Sequence, residues 1–137
     1  MNVYEYISPW LRNLLDEYHF NKETLAKYLS VSTKTVNDLA QGKEVKLPDD
    51  YNKVLDKILF LSIIPKEVPD LKVKAFLEVL LSYHKLSKDT IAKMAGVEIS
   101  DIENFLCEKY EYVDFEIRYK IASVTMALRF FLKDNEL

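Results

Sequence analysis

Hydrophobic residues recur along this chain at the three- and four-residue intervals of amphipathic helices. The first such stripe, which an opening helix would bury, consists of Trp10, Leu11, Leu14, Leu15 and Tyr18. Ser8 and Pro9 stand just before it. Because serine is a good N-cap and proline suits the first helical turn, the pattern predicts a helix that begins there. Asn21 predicts the cap of a second, short helix over Lys22–Leu29.

When the sequence is aligned with itself so that Trp10 falls on Phe76, the pattern of apolar positions matches without a gap. At this offset, called the repeat offset below, the first four residues of the stripe fall on Phe76, Leu77, Leu80 and Leu81. The segment 24–27 falls on 90–93, and Tyr51, Leu55 and Ile58 fall on Ile117, Ile121 and Val124. Such self-similarity is typical of repeated structural units. We therefore predict two helical units, residues 1–64 and 65–137, joined near Pro65 and Pro69, where proline prevents a helix from continuing.

Residues 22–39 and 88–105 share the residue types that a close crossing of two helices requires. The fifth position of each segment is small, Ala26 or Ala92, because the two helices approach closely there. The ninth position, Ser30 or Gly96, has to tolerate left-handed backbone angles, which glycine adopts without steric cost. The tenth, fifteenth and eighteenth positions are apolar in both segments, so we expect them to face the interior.

This spacing resembles the helix-turn-helix of the Cro and phage-repressor-like (XRE) family, and Gly42 and the pair Leu47-Pro48 follow the third helix much as they do there. Ser30 stands where that family usually has glycine. The resemblance implies an all-α fold of two tandem four-helix helix-turn-helix units that pack together. It also implies that a third helix enters the major groove of double-stranded DNA, where its first residues contact base edges.

The third helix of the first unit carries side chains that suit this role. We expect base-edge contacts from Thr33, Lys34, Asn37 and Gln41, because lysine donates to guanine and amides pair with adenine. We expect phosphate contacts from Lys22, Lys27, Ser32 and Lys43. Residues 22–46 hold five lysines against three carboxylates, a local charge of about plus two, so the first unit is the predicted DNA-binding unit.

The matching face of the second unit has the opposite charge. It consists of Glu98, Ile99, Ser100, Glu103, Asn104 and Cys107. Residues 88–109 hold three lysines against five carboxylates, so we expect this degenerate unit to repel phosphate and to serve packing, dimerisation or partner binding instead. Ile99 and Glu103 are the predicted partner contacts. Ser100 and Glu103 also fit a capping box, which predicts a third helix that begins two residues later than its counterpart.

Two functions remain open at this point. The first is a sequence-specific DNA-binding transcriptional regulator of phage or mobile-element type that uses the first unit. The second is a protein-binding adaptor or inhibitor whose helix-turn-helix scaffolds do not contact DNA. A net charge of −3 and a pI near 5.5 favour the second, because strong DNA binders neutralise many phosphates. Residues 126–132 are apolar nearly all round their predicted helix, so one side needs cover from the first unit, from the amino-terminal segment 3–7 or from a second copy in a homodimer.

Other functions find no support in the sequence. Cys107 is the single cysteine and is interpreted as a half-buried helix residue. With only two histidines beside it, no metal-ligand cluster is predicted. No catalytic motif appears, so we expect neither an enzyme nor a cofactor. No run approaches the roughly 18 apolar residues of a membrane span. The first residues lack the basic stretch of a signal peptide, so we expect a cytoplasmic protein without membrane contact.

Overall fold

The computed structural model describes residues 2–47 and 51–136, and these ranges are helical without any strand, which confirms the predicted all-α class. The α-helices are α1 (Val3–Asp16), α2 (Lys22–Leu29), α3 (Thr33–Ala40), α4 (Tyr51–Ile63), α5 (Pro69–Ser82), α6 (Lys88–Ala95), α7 (Ile99–Leu106) and α8 (Phe115–Leu132). Short 3-10 turns cover Ile64–Lys66, Tyr110–Tyr112 and Lys133–Asn135. The chain divides into two compact units, Met1–Lys66 and Glu67–Leu137.

Helix α1 begins earlier than the sequence predicted. Its N-cap is Asn2, whose side-chain oxygen accepts a hydrogen bond from the Glu5 amide at 2.9 Å. Ser8 and Pro9 lie inside the helix, so their predicted role as N-cap and first-turn proline is wrong. The helix extends toward the amino terminus because Ile7 is fully buried, and the Ser8 hydroxyl bonds outside its own helix, as described below.

The first unit closes around one hydrophobic core in which α1 packs against α3 and α4. Its fully buried side chains are Ile7, Leu11, Leu25, Val36, Leu39 and Ile58. Lys57 of α4 donates to the Tyr28 carbonyl at 2.8 Å, and its ammonium lies 4.9 Å from the Tyr28 ring centre. This contact joins α4 to the last turn of α2. The predicted start of the fourth helix at Pro48 and Asp49 lies outside the described residues.

The turn between α2 and α3 depends on a left-handed residue. Ser30 has φ 59° and ψ 41°, and the Val31 amide donates to the Ala26 carbonyl at 3.0 Å, which closes the end of α2. Gly96 occupies the same place between α6 and α7 with φ 71° and ψ 38°. Left-handed angles strain any residue that has a β-carbon, so the two turns have the same shape at different conformational cost.

Substitutions at these two positions should change the free energy of unfolding in opposite directions. Ser30→Gly relieves left-handed strain of about 1–2 kcal/mol, against about 0.5–1 kcal/mol of added chain entropy in the unfolded state, so we expect a net gain of roughly 0.5 kcal/mol. Gly96→Ala should be destabilising by a similar amount, through the backbone alone, because a β-carbon there would meet nothing within 4 Å. Urea unfolding at neutral pH measures both changes. A loss of stability in Ser30→Gly would contradict this account.

The second unit repeats the backbone of the first through its third helix. Helices α5, α6 and α7 have the lengths of α1, α2 and α3, and the first residue of each keeps the repeat offset that sets Trp10 on Phe76. The left-handed residues recur at the same offset: His19, Ser30 and Gly42 correspond to Lys85, Gly96 and Glu108. The fully buried core of this unit consists of Leu77, Leu80, Ile91, Ile102, Phe105 and Ile121.

Helix α7 begins in the register of α3, so the predicted start two residues later is wrong. Glu98 is the N-cap, and the Asp101 carboxylate accepts a hydrogen bond from the Glu98 amide at 3.0 Å. Ser100 and Glu103 have the residue types of a capping box, and serine is the commoner capping residue. Asp101, three residues after Glu98, satisfies the free amide instead.

The gapless repeat ends before the last helix. Val54 and Ile58 are buried in α4, and their counterparts in α8 are the buried Ile121 and Thr125. Each counterpart lies one residue further along the chain than the repeat offset predicts. The chain from the buried Phe105 of α7 to the buried Ile121 of α8 is therefore one residue longer than the chain from Leu39 of α3 to Val54 of α4. The prediction that Leu55 corresponds to Ile121 is therefore wrong. A constant offset cannot reveal a one-residue insertion before a helix that is apolar on several sides, because more than one alignment then pairs apolar residues.

A charged clamp joins the end of the second unit to α8 and to the residues that follow α5. The Glu136 carboxylate accepts from Arg129 Nε at 2.7 Å and lies 2.8 Å from His84 Nε2. The guanidinium of Arg129 stacks over the Phe76 ring with its central carbon 4.9 Å from the ring centre. These hydrogen bonds, first from Arg129 and then from His84, lower the pKa of Glu136 from 4.5 to about 2.

The clamp should therefore open in acid. Because the folded-state pKa of Glu136 is lowered, its stabilising effect is complete above pH 4.5 and is lost as the pH falls toward about 2. We expect Glu136→Gln to lower the thermal midpoint at neutral pH, and we expect the two proteins to converge as the pH approaches 2. Thermal unfolding over a pH series measures this. A gap of constant size across the series would contradict the clamp.

Candidate nucleic-acid interface

The outward face of α3 carries the residues predicted to contact base edges. Thr33, Lys34 and Gln41 are exposed and Asn37 is half-buried. Thr33, Lys34 and Asn37 lie at positions i, i+1 and i+4 of α3, and Gln41 is the C-cap one turn after Asn37, so the four share one side of the helix. The opposite side is buried through Val36, Leu39 and Ala40. Because α3 has eight residues, it is about 12 Å long, which is close to the width of the DNA major groove.

The predicted phosphate contacts are all exposed but do not form one cluster. Lys22 opens α2 and Lys27 lies in its last turn. Five helical positions separate these two lysines, so they point about 140° apart around the α2 axis. Lys43 follows the end of α3 and is exposed in the turn there. Only some of the four residues can therefore contact the same strand of a bound duplex.

Ser32 has a structural task in addition to its predicted one. It is the N-cap of α3, where its hydroxyl oxygen accepts a hydrogen bond from the Thr35 amide at 3.1 Å and lies 3.0 Å from the Thr35 hydroxyl. The cap fixes where α3 begins. Ser32 is exposed, so its hydroxyl faces solvent at the start of the helix.

The far end of α3 is held by Ser8, the predicted N-cap of α1. Ser8 is 3% exposed, and its hydroxyl donates to the Ala40 carbonyl at 2.8 Å. Gly42 turns the chain immediately afterwards with φ 76°. Tyr4 then donates to the Val45 carbonyl at 3.1 Å. Thus α1 fixes both α3 and the segment that follows it. The spacing of Ser8 from Leu11 was the available signal, because it puts Ser8 on the buried side of α1.

The equivalent face of α7 has a different chemistry on the same backbone. Ile99, 40% exposed, corresponds to Thr33, and the exposed Glu103 corresponds to Asn37. Glu98 is exposed at the start of this helix. The predicted partner contacts Ile99 and Glu103 are therefore both accessible to solvent. Cys107 is a free, exposed thiol, so its interpretation as half-buried is wrong: α7 ends at Leu106, and Cys107 caps the helix outside the core.

Other kinds of site find little support within the described ranges. No three side chains from histidine, cysteine, aspartate and glutamate come together there as a metal site would require. The longest helix, α8, is not apolar enough to cross a bilayer, and none of the other described helices is. In the first unit, burial raises the pKa of Tyr28, so the hydroxyl stays protonated at neutral pH.

Comparison with known proteins adds one finding to this geometry. A family model described as a helix-turn-helix domain matches residues 4–137, so the chain belongs to that helix-turn-helix family. The match includes both the α2–α3 pair and the α6–α7 pair. No curated protein and no solved structure matches the chain. Helix-turn-helix domains are typical of DNA-binding regulators and are typically not enzymes.

Proposed function

We propose that this protein is a sequence-specific DNA-binding transcriptional regulator, of the phage or mobile-element type represented by the Cro and XRE family, and that α3 of the first unit contacts the bases. One observation carries the proposal: α3 presents Thr33, Lys34, Asn37 and Gln41 on one accessible side, while its buried side anchors it in the core. The family match supports DNA binding in general. The specific family type rests on the spacing of residues 22–39.

Each of these side chains has a defined partner in the major groove. The Lys34 ammonium donates to guanine O6 or N7, and the Asn37 amide both donates to and accepts from adenine. Gln41, the C-cap of α3 one turn after Asn37, offers a second amide of the same kind. Thr33, at the first helical position, brings a hydroxyl and a methyl group, and the methyl suits the C5-methyl group of thymine.

The backbone contacts are local, because the chain as a whole is acidic. A net charge of −3 gives no general attraction to DNA, so affinity depends on individual lysines such as Lys22, Lys27 and Lys43. Each phosphate that they neutralise steepens the salt dependence of binding by about 0.9 in the logarithmic slope. We therefore expect binding at low salt that falls steeply as salt is added.

The second unit takes no part in this contact. Glu98 and Glu103 on α7 would face the phosphates if α7 entered a groove as α3 does, and like charges repel. The recurrence of three helices at one constant offset supports an origin by tandem duplication, after which the two copies diverged in surface charge. The second unit then serves packing, dimerisation or partner binding.

Two substitutions distinguish base contact from phosphate contact. A preferred site is first selected from random duplex DNA with the unmodified protein. Asn37→Ala should then cost about 1–3 kcal/mol on that site and relax its sequence preference. Lys27→Ala should weaken binding to every sequence and reduce the salt slope by about 1. Fluorescence anisotropy over a salt series measures both quantities.

The second unit supplies matched controls for this experiment. Glu103→Ala and Lys93→Ala alter the positions that correspond to Asn37 and Lys27, and neither should weaken binding. Equal losses on all sequences for Asn37→Ala and Lys27→Ala would contradict the assignment of roles. If no duplex is retained at low salt, the DNA-binding proposal fails.

The adaptor function is the second candidate, and the exposure of Ile99 among carboxylates favours it. Its partner would meet an apolar side chain bordered by Glu98 and Glu103. It predicts that the protein is not retained on DNA and that Ile99→Asp or Glu103→Lys releases a bound protein. If the protein is retained on DNA and a substitution in α3 abolishes that retention, the adaptor function is contradicted.

A further inference from the structure

Helix α8 exposes a continuous apolar stripe on a side away from the core of the second unit. The α8 stripe consists of Phe115, Tyr119, Ala122, Met126 and Phe130. These residues lie within about 80° of one another around the helix axis, and the centre of the stripe is about 100–140° from the buried Ile121 and Thr125. Phe115 is 80% exposed, Tyr119 74%, Phe130 62% and Met126 40%. We propose that this stripe is the surface through which two copies of the chain associate, with their α8 helices antiparallel.

The spacing of the stripe is symmetric along the helix, which suits a two-fold axis. Phe115 and Phe130 lie at equal distances before and after a midpoint between Ala122 and Ser123, and so do Tyr119 and Met126. A two-fold axis through that midpoint sets Phe115 of one copy against Phe130 of the other and Tyr119 against Met126. In a symmetric dimer one surface must complement itself. The pairs are two aromatic rings and an aromatic ring with a thioether, and both are favourable contacts.

The charges at the two ends of α8 also favour the antiparallel direction. Residues 110–117 contain three carboxylates and no lysine or arginine, whereas residues 127–133 contain two cations and no carboxylate. An antiparallel pair brings the acidic end of one helix beside the basic end of the other. A parallel pair would bring like charges together, which costs free energy.

The rings at both ends of the stripe are already held in place by cations. The Arg118 guanidinium lies 4.6 Å from the Phe115 ring centre, and Arg118 is itself fixed by a hydrogen bond of 3.2 Å to Asp70. The Lys133 ammonium lies 4.7 Å from the Phe130 ring centre. Two large rings that are fixed before association lose little conformational freedom on binding, which lowers the cost of association.

The exposed rings supply most of the area that a pair of helices would need to bury. Together with Tyr112, which is 68% exposed, the three rings of the stripe expose on the order of 500 Å² per chain and on the order of 1,000 Å² per pair. That is close to the lower limit for a specific interface, about 1,200 Å². A groove of about 550 Å³ beside Phe115 and Tyr119, lined from α5 by Pro69 and Val73, offers additional depth. Ala122, the small residue at the centre of the stripe, lets the helix axes approach.

The first test is the mass of the protein in solution. Sedimentation equilibrium at micromolar concentrations should give a dimer for the unmodified chain and a monomer for Tyr119→Glu, with the dissociation constant raised by at least about 30-fold. Phe131→Ser is the matched control, because Phe131 is 75% exposed on the same helix but lies outside the stripe. It should leave the dimer intact. A monomeric unmodified protein, or equal losses in the two variants, would overturn the proposal.

The second test distinguishes the two helix directions. In a Cys107→Ser background, Ala122→Cys should form a disulfide between copies, because an antiparallel pair brings the midpoint of each α8 against itself. Phe115→Cys should not, because the two copies of position 115 would lie about 22 Å apart along the antiparallel pair. A parallel pair would cross-link both variants. Cross-linking of Phe115→Cys as efficient as that of Ala122→Cys would overturn the antiparallel arrangement.

Discussion

Lys34→Glu is expected to abolish specific DNA binding by the first unit. The substitution removes a donor to guanine, worth about 1–3 kcal/mol, and sets a carboxylate against the phosphates, so the loss should reach about 4 kcal/mol, nearly a thousandfold in affinity. Lys34 is exposed on α3. The helix should therefore tolerate glutamate, and the circular dichroism spectrum should be unchanged. Electrophoretic shifts on a selected duplex at low salt measure the loss.

The control for this experiment is the equivalent residue of the second unit. Ser100 corresponds to Lys34 at the repeat offset, and Ser100→Glu likewise places a carboxylate on the outward face of a third helix. It should leave the affinity nearly unchanged, because α7 is proposed to stay away from DNA. If Ser100→Glu weakened binding as much as Lys34→Glu, the effect would reflect net charge rather than a contact by α3.

Phe105→Ala is expected to cause the largest loss of stability of any substitution considered. The Phe105 ring is fully buried in the core of the second unit, and its edge packs against the Tyr110 ring with 5.4 Å between their centres. Truncating a buried phenylalanine removes its transfer free energy and leaves a cavity, which together cost about 3–5 kcal/mol. Urea unfolding followed by circular dichroism measures this loss.

Two comparisons keep this result interpretable. Phe131→Ala makes the same chemical change at a side chain that is 75% exposed, so its effect should stay within about 0.5 kcal/mol. Trp10 is the only tryptophan and belongs to the first unit, so its fluorescence reports on that unit while circular dichroism reports on both. A loss under about 1 kcal/mol in Phe105→Ala would contradict the buried position of the ring.

The sequence predicted those parts of the fold that local residues determine. The bounds of α2 follow from Asn21, which caps the helix through the Thr24 amide at 2.9 Å, and from the left-handed residue Ser30 at its end. Both signals lie within a few residues of the boundary that they set. The start of α1 could not be found in this way, because the Ser8 hydroxyl bonds to Ala40, which is distant in the sequence. A serine before a proline is a common cap, and the contact that overrides it is tertiary.

The candidate site was predictable to a similar extent. Helical periodicity alone put Thr33, Lys34 and Asn37 on one face of α3, because buried and exposed positions alternate regularly there. It does not separate Lys22 from Lys27, two predicted phosphate contacts whose spacing on a helix turns them to different sides. The one-residue insertion before α8 was also beyond the sequence, since apolar residues occur on several sides of that helix.

Helix α3 is held in place by its ends and its buried side, so the side chains on its exposed side can be replaced. Ser32 and Ser8 fix the two ends of the helix, and Val36 and Leu39 hold its inner side, whereas the side chains of Thr33, Lys34, Asn37 and Gln41 form no hydrogen bond to the described remainder of the chain. A combinatorial library at those four codons would therefore leave folding intact. Selection from such a library would yield variants with new operator preferences on an unaltered scaffold.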